Sequence, residues 1–489
     1  MRLSVQGALW LLICLTLGFS LPGERTAGNA PKAPRNVVFI LSDDHRYDFM
    51  SFHPNAPDFL ETPNLDRMAA GGMHIRNAFV TTSLCSPSRA SILTGQYSHR
   101  HGVVDNATDV PEGTRFFPQD LQQAGYQTAF FGKWHMGGET DEPRPGFNHW
   151  ESFQGQGTYY NPVLNINGSR GEIKGYTADI LTDHALQWLR DRQADQPFFL
   201  YLSHKSVHAE FEPAERHLGR YDDVKLRYPE TMANTEENYR GKPNWVREQR
   251  YGWHGVDYMY HGTMDFDTFY RRYCETLLGL DENVGRVLDY LESSGLIENT
   301  LVVYMGDNGF SFGEHGLIDK RQAYEESMRV PMLVYAPGYV KAGSATDEMV
   351  LNIDIAPTVL ELAGQATPAR MQGRSFVPLL EGKTVPDWRK EFAYQYYWEY
   401  NFPHTPTVFA LRGERYKFMF YHGLWDQNEF YDLQTDPLEK YNLIDSPEHQ
   451  ALIATMQERL FDMLDAEDAV NVAFRRPRYR QQDQRKLHD

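Results

Sequence analysis

Short apolar runs at residues 36–42, 126–132, 197–203, 300–306 and 331–336 are separated by stretches of helical periodicity at 116–124, 177–193, 269–293 and 355–363. This alternation constrains the chain more than any other feature. Runs that are apolar at consecutive positions, not at every second one, belong to strands buried on both faces, as in a parallel sheet. Strands of that kind alternating with helices imply an α/β fold whose large, mostly parallel sheet is flanked by helices. Residues 205–265 break the pattern, being rich in Tyr, Glu, Arg and His, and read as a long surface excursion that shapes a substrate cleft. Beyond residue 380, strand-like pieces at 392–398, 408–412, 416–421 and 429–433 precede a helical stretch at 448–464. They imply a smaller antiparallel sheet with a helix. The expected organisation is therefore a main α/β domain over 33–380, a smaller C-terminal subdomain over 381–470, and a solvated basic tail over 471–489.

Residues 1–30 read as a secretory signal peptide. Met1-Arg2 is followed by an apolar run from Ala8 to Leu21, shorter than the roughly 20 residues needed to span a bilayer. Cleavage after Ser20 or after Ala30 both fit. The mature chain is expected to be exported to a periplasmic, extracellular or lysosome-like compartment, without stable membrane insertion. A net charge of −18 opposes nucleic-acid binding, which needs clustered Lys and Arg. Cys14, Cys85 and Cys274 are the three cysteines, too few for a disulfide framework, and no CxxC pair offers a zinc knuckle. Cys14 falls in the removable segment, and Cys274 is expected to be a buried free thiol. Asn106-Ala107-Thr108 and Asn167-Gly168-Ser169 are glycosylation sequons, relevant in a host that glycosylates exported proteins.

In open α/β sheets, ligands bind beyond the carboxyl ends of the strands, and four of the runs end in reactive groups. The first leads into Asp43-Asp44-His45, the second into Lys133-Trp134-His135, the third into His204 and His208, and the fourth into Asp307-Asn308. Asp43, Asp44, Asp307 and Asn308 are all oxygen donors. Such a set suits a hard cation; calcium takes six or more oxygens at about 2.3–2.6 Å. An adjacent Asp pair alone would read equally well as a turn or a helix cap.

The most specific string is Cys85-Ser86-Pro87-Ser88-Arg89-Ala90-Ser91-Ile92-Leu93-Thr94-Gly95. Pro87 suits the first turn of a helix and Ser86 its cap. Cys85 then sits just before the positive helix end, beside an arginine, a setting in which cysteines are reactive. This string resembles the signature of the formylglycine-dependent sulfatases of the alkaline phosphatase superfamily. The likeness continues through Ser42-Asp43-Asp44, Gly132-Lys133-Trp134-His135, Val207-His208-Ala209, Gly306-Asp307-Asn308-Gly309 and Gly316-Leu317-Ile318-Asp319-Lys320. It reaches Tyr431-Asp432-Leu433 and Asn442, covering residues 36–445.

The resemblance implies an alkaline-phosphatase-like fold and hydrolysis of O-sulfate esters, with one Ca²⁺ and 3-oxoalanine (formylglycine) made from Cys85 by a separate maturation enzyme. The metal set implied is Asp43, Asp44, Cys85, Asp307 and Asn308. Two hydroxyls at position 85 would in turn attack sulfur and release sulfate, splitting one difficult displacement into two steps. Arg89, Lys133 and Lys320 would balance charge on that residue and on the sulfate. His135 would assist sulfate release, and His208, with Lys320, would give a proton to the leaving oxygen. His204 lies four residues before His208 and fits either a pocket wall or a structural role. His404, in Tyr400-Asn401-Phe402-Pro403-His404-Thr405-Pro406, would touch the substrate sugar. The similarity is to carbohydrate sulfatases, glucosamine-6-sulfatase-like members among them, so a sulfated glycan is the expected substrate. A phosphate or phosphonate monoester hydrolase of the same superfamily is the second reading, and a non-catalytic glycan-binding protein the third.

Overall fold

The computed structural model of the protein describes residues 33–137, 140–423, 426–466 and 468–469. The expected signal peptide, Cys14 and the basic tail lie outside the described residues. The strand Asn36–Ser42 forms the centre of a ten-stranded sheet, with Phe198–Ser203 on one side and Thr300–Gly306 on the other, both parallel to it. Gln127–Lys133 continues the parallel set beyond Phe198–Ser203, followed by His149–Phe153. Every residue of Asn36–Ser42 is buried, and alternate side chains enter two cores. Val38 and Ile40 meet the helices Thr177–Asp191 and Phe266–Ser293; Val37, Phe39 and Leu41 meet Cys85–Thr94 and Ile355–Leu362. Burial on both faces is why these strands read as continuous apolar runs.

The structure corrects the sequence reading in several places. Met332–Tyr335, expected as another parallel strand, runs antiparallel to Thr300–Gly306. Apolar content reports burial on both faces but carries no direction. Five strands of the sheet have no counterpart in the sequence reading: Met73–Ile75, His149–Phe153, Val163–Ile166, Ser169–Glu172 and Ser344–Thr346. Ser169–Glu172 is exposed along its length, so it has no apolar signature to read. The 205–265 excursion is also less superficial than expected. Phe211, Tyr221, Trp245, Val246 and Met259 are buried within it, and it folds into short helices such as Asn244–Gln249. The long helix Phe266–Ser293 begins three residues before the expected start because Asp265 caps it, accepting from the Thr268 N–H at 2.9 Å.

Four strands, Glu391–Tyr396, Val408–Gly413, Tyr416–Tyr421 and Glu429–Asp432, form the separate antiparallel sheet. The helix Gln450–Ala466 lays Ile453, Met456, Leu460 and Leu464 against its Phe409, Leu411, Phe418 and Phe430. Cys274 is a fully buried free thiol in the helix Phe266–Ser293. Among the described residues no helix is long and apolar enough to cross a membrane.

A buried charge cluster ties the small sheet to the Glu325–Met328 helix. The Lys417 ammonium, fully buried, donates to the Ala323 carbonyl at 2.8 Å and to Glu325 at 3.0 Å, and pairs with Glu439 at 2.7 Å. Arg412 holds the other Glu325 oxygen at 3.1 Å. Removing one partner of such a cluster leaves buried charge uncompensated. Lys417→Met is therefore expected to lower stability by about 3–5 kcal/mol in chemical denaturation, and an effect under about 1 kcal/mol would show that the cluster is not a clamp.

Candidate active site

The strands that carry the reactive groups end at the same level. Ser42 pairs with Gly306, and Leu41 and Gly132 both pair with Ser203. Asp43, Lys133, Asp307 and the 204–208 turn therefore leave the sheet together. Gly132 permits this closeness: its φ is +108°, and a Cβ there would stand 1.9 Å from the Ser203 carbonyl oxygen. Backbone bonds fix the ends, with the Asp43 N–H donating to the Ser206 carbonyl at 2.9 Å and the Asp307 N–H to the Ser42 carbonyl at 2.9 Å. Asp44 takes a left-handed backbone, φ +57°, which Asp tolerates, and its N–H donates to Asp307 Oδ1 at 3.0 Å.

The helix carrying Cys85 starts at Cys85 itself. Leu84 is its N-cap residue and offers no side-chain cap, so Ser86 is not the cap expected from the sequence. Asn106 does that work from outside, its Oδ1 accepting the Ser86 N–H at 3.1 Å. The Ser86 hydroxyl instead donates to the His135 carbonyl and lies 3.4 Å from His135 Nδ1. Cys85 Sγ is 3.5 Å from Asp43 Oδ1.

Arg89, one turn on, is buried at the convergence point. It donates from Nε to Asp307 Oδ2 at 2.9 Å and from Nη1 to the Lys133 carbonyl at 2.7 Å and to Ser203 Oγ at 2.6 Å, while its Nη2 makes ion pairs with Asp307 at 2.8 Å and Asp43 at 3.5 Å. The Lys133 ammonium pairs with Asp43 and that of Lys320 with Asp44. His208 Nε2 is 3.9 Å from Asp44 Oδ2, and its Nδ1 faces the Ala209 carbonyl. Asn308 donates from Nδ2 to Asp44 Oδ1 at 2.7 Å.

The structure thus brings Asp43, Asp44, Cys85, Arg89, Lys133, His135, His208, Asp307, Asn308 and Lys320 together. It does not bring His204 to them. His204 is buried on the opposite face, where Asp179 and Arg286 are the charges that act on it. Successive residues leaving a strand point to opposite sides, and His204 shares the side of Leu202. His404 lines a cavity of about 340 Å³ with Trp245, Trp398, Pro403, Thr407 and His422. Residues flanking Lys320, not singled out from the sequence, extend the site wall. Arg321 donates to Glu399 at 2.7 Å, and Phe402 covers it at 4.5 Å. The charged triplet Asp319-Lys320-Arg321 was the available signal.

Burial dominates the electrostatics. It pushes the Asp44 carboxyl up to about 7 against the pull of Lys320, with Asp43 and Asp307 adding to the rise. Burial works the same way on Asp43, but Lys133 and Arg89 outweigh it and hold that carboxyl well below the usual range. Burial, with Lys133 beside them, holds the imidazoles of both His135 and His208 well below their ordinary value. The Cys85 thiol is pushed up to about 12 by burial, despite Lys133 and Lys320. The reactive thiolate expected at a helix start is therefore not what this site makes.

The donor set fits a hard divalent cation. Ligand oxygens of Asp43, Asp44 and Asp307 lie within 4.8 Å of one another. Asn308 Oδ1 is buried without a hydrogen-bond donor among the described residues, an orphan that a cation would satisfy. Asp43, Cys85 and His208 make a second grouping within the same 4.8 Å limit.

Comparison with known proteins follows this geometry. The Sulfatase family model matches residues 35–365, and that of the N-sulphoglucosamine sulphohydrolase C-terminal region matches 313–466. The N-acetylglucosamine-6-O-sulfatase of Bacteroides thetaiotaomicron is 35% identical, over 88% of this chain and 85% of its own. The human N-acetylglucosamine-6-sulfatase is 31% identical, over 77% and 70%. The solved structure of BT4656 in complex with its substrate D-glucosamine-2-N,6-O-disulfate superposes with a TM-score of 0.82 at 32% identity, covering 90% of this chain and 99% of that one.

A cation that binds only the folded state raises its stability, by about 2.7 kcal/mol at a hundred times the Kd. Chelator-treated protein is expected to melt at a higher temperature when a divalent cation is restored, and Asp307→Asn to lose most of that gain. An unchanged melting temperature on adding calcium, magnesium or manganese would remove the metal reading.

Proposed function

The chain belongs to the sulfatase family, and we propose that within it this enzyme removes the 6-O-sulfate of glucosamine residues in a sulfated glycan, using formylglycine made from Cys85. It is a sulfuric ester hydrolase acting on sulfated sugars. The observation that carries the formylglycine reading is the state of Cys85. A thiol titrating at about 12, 3.5 Å from a carboxylate, is a poor nucleophile as it stands, yet it occupies the point where the site's cations and imidazoles meet. Formylglycine at that position supplies a hydroxyl nucleophile in place of the protonated thiol. A separate maturation enzyme would carry out the oxidation.

A calcium ion held by Asp43, Asp44, Asp307 and Asn308, next to position 85, supplies Lewis-acid polarisation of the sulfate when bound. The roles of the chain's own groups follow from their placement. Arg89 positions Asp307 and Asp43 and so orients the ligand oxygens. Lys133 and Lys320 balance charge on the sulfate oxygens. His135, fixed between Ser86 and Gln156 at 3.4 and 3.2 Å, acts at the position-85 hydroxyl. His208 is turned by the Ala209 carbonyl so that Nε2 faces Asp44 and the pocket. The negative charge of a bound sulfate favours its protonated form, and with Lys320 it protonates the departing sugar oxygen. His204 has no part in this scheme.

Residues 381–470, as a subdomain beside a catalytic domain over 33–380, lend the pocket a wall. Glu399 anchors Arg321 next to Lys320, and Phe402 packs on Arg321 and on His254, whose ring centroid is 4.6 Å away. This supports His404 as a contact to the sugar. The apolar stretch within residues 1–30 supports export.

Mass spectrometry of the peptide spanning Cys85, from protein made with a maturation enzyme, is expected to show a loss of about 18 Da or its hydrate. An unmodified cysteine would refute the mechanism. The matured enzyme is expected to turn over an aryl sulfate faster than the matching aryl phosphate, and the reverse preference would move the chain to the monoesterase class. His208→Gln is expected to cut turnover of a sugar sulfate by about 10²–10⁴ and that of an aryl sulfate, whose leaving group needs little protonation, far less. Equal losses on both would deny His208 the role of proton donor.

A further inference from the structure

Every cation assigned above rests on a carboxylate: Arg89 on Asp307, Lys133 on Asp43 and Lys320 on Asp44. Lys205, at the same end of the sheet, has none. It is 6% exposed, and no carboxylate among the described residues lies within ion-pairing distance. Its ammonium sits over the face of Tyr159 at 4.7 Å from the ring centroid. The Tyr159 hydroxyl donates to the His208 carbonyl at 2.5 Å, so ring and lysine belong to the wall that carries the expected proton donor.

A buried ammonium without a counter-ion is costly, and one ring face offsets only part of that cost. Burial and the neighbouring Lys133 ammonium pull its titration down to about 8, against Asp43, Asp44 and Glu212. Lys133 and Lys320 are the cations that act most on Cys85 Sγ, and Lys205 is not among the strongest influences there. It therefore stands one step out from the groups nearest Cys85, on the Tyr159 wall that is tied to His208. The transferred sulfate, a single negative charge, is already faced by two lysines and a cation site.

We propose that Lys205 is a specificity-determining residue that binds a second anionic group on the substrate, beyond the sulfate being removed. The chemistry is an oxyanion on or next to the glucosamine ring. It has two sources, a 2-N-sulfate on the same sugar or the carboxylate of an adjoining uronic acid. This inference rests on the glucosamine-6-sulfate reading and adds to it what the site selects.

The test compares kcat/KM of the matured enzyme on three substrates: N-acetylglucosamine-6-O-sulfate, D-glucosamine-2-N,6-O-disulfate, and a uronic acid–N-acetylglucosamine-6-O-sulfate disaccharide. A charge-assisted hydrogen bond made in a desolvated site is worth about tenfold or more in specificity. The wild type is expected to prefer one doubly charged substrate over the singly charged one by that factor. Lys205→Gln, checked for native melting, is expected to collapse the preference, and Lys205→Arg to retain most of it. Collapse on the disulfate identifies the N-sulfate as ligand; collapse on the disaccharide identifies the carboxylate. A wild type indifferent to the second charge overturns the inference whatever the variants do, as does an equal loss on all three substrates in Lys205→Gln. A wild type inactive on all three, yet active on another sugar sulfate, overturns the glucosamine reading and this inference with it.

Discussion

One guanidinium holds the site together. Arg89 reaches from the helix that begins at Cys85 into the gap where four parallel strands end, and touches groups from each of them. It is 1% exposed, and its partners Asp43 and Asp307 are fully buried. Without Arg89 those two carboxylates would lie close together with less positive charge to balance them, a state costing several kcal/mol. Its planar fork also suits the task, since one group can bond a carboxylate, a carbonyl and a hydroxyl in fixed directions. The position of Cys85 is a consequence, because the same helix turn that places the guanidinium places the thiol beside Asp43.

The rest of the site is an exercise in balancing buried charge. Three aspartates face three cations, Arg89, Lys133 and Lys320, and an orphan amide oxygen from Asn308 completes a donor set for a cation. Burial rather than any single neighbour is the largest influence on nearly every titrating group there. That is why the Cys85 thiol is pushed up to about 12 in spite of two lysines, and why both imidazoles are held well below their ordinary value. The surface works in the opposite sense. A chain of net charge −18 does not attract a sulfated glycan from a distance. Recognition then falls to the few cations inside the pocket, and a local site around one sugar is favoured over a long basic groove.

The small antiparallel sheet is part of this balance. Lys417 and Lys242 are both buried where it meets the main body, Lys242 donating to the Tyr431 hydroxyl at 2.6 Å and lying 3.4 Å from Glu429. The loop that follows Glu391–Tyr396 then carries Glu399 and Phe402 to Arg321. Ionic contacts between the C-terminal region and the segments packed against it thus bear directly on the residue next to Lys320, linking the stability of that region to the geometry of the pocket.

The sequence by itself determined the parallel core and nearly the whole reactive set. Strands buried on both faces must be apolar at every position, so 36–42, 198–203 and 300–306 are legible as strings. Reactive residues that follow such strands arrive at one edge of the sheet, though packing still decides which face each one takes. Cys85 to Gly95 was legible for the same reason, being a local motif. What depended on partners distant in sequence was not. The antiparallel direction of Met332–Tyr335 and the five added strands follow from neighbours that accept them, not from their own residues. The capping of the Cys85 helix by Asn106 and the turning away of His204 are decided by packing. The thiol's high titration and the lack, among the described residues, of a carboxylate in ion-pair contact with Lys205 are likewise set by burial and by which side chains reach the site. Residue type and spacing name the groups that can react. Only the fold decides how deeply each is buried and what charge stands beside it, because desolvation and Coulomb energy depend on distances in space.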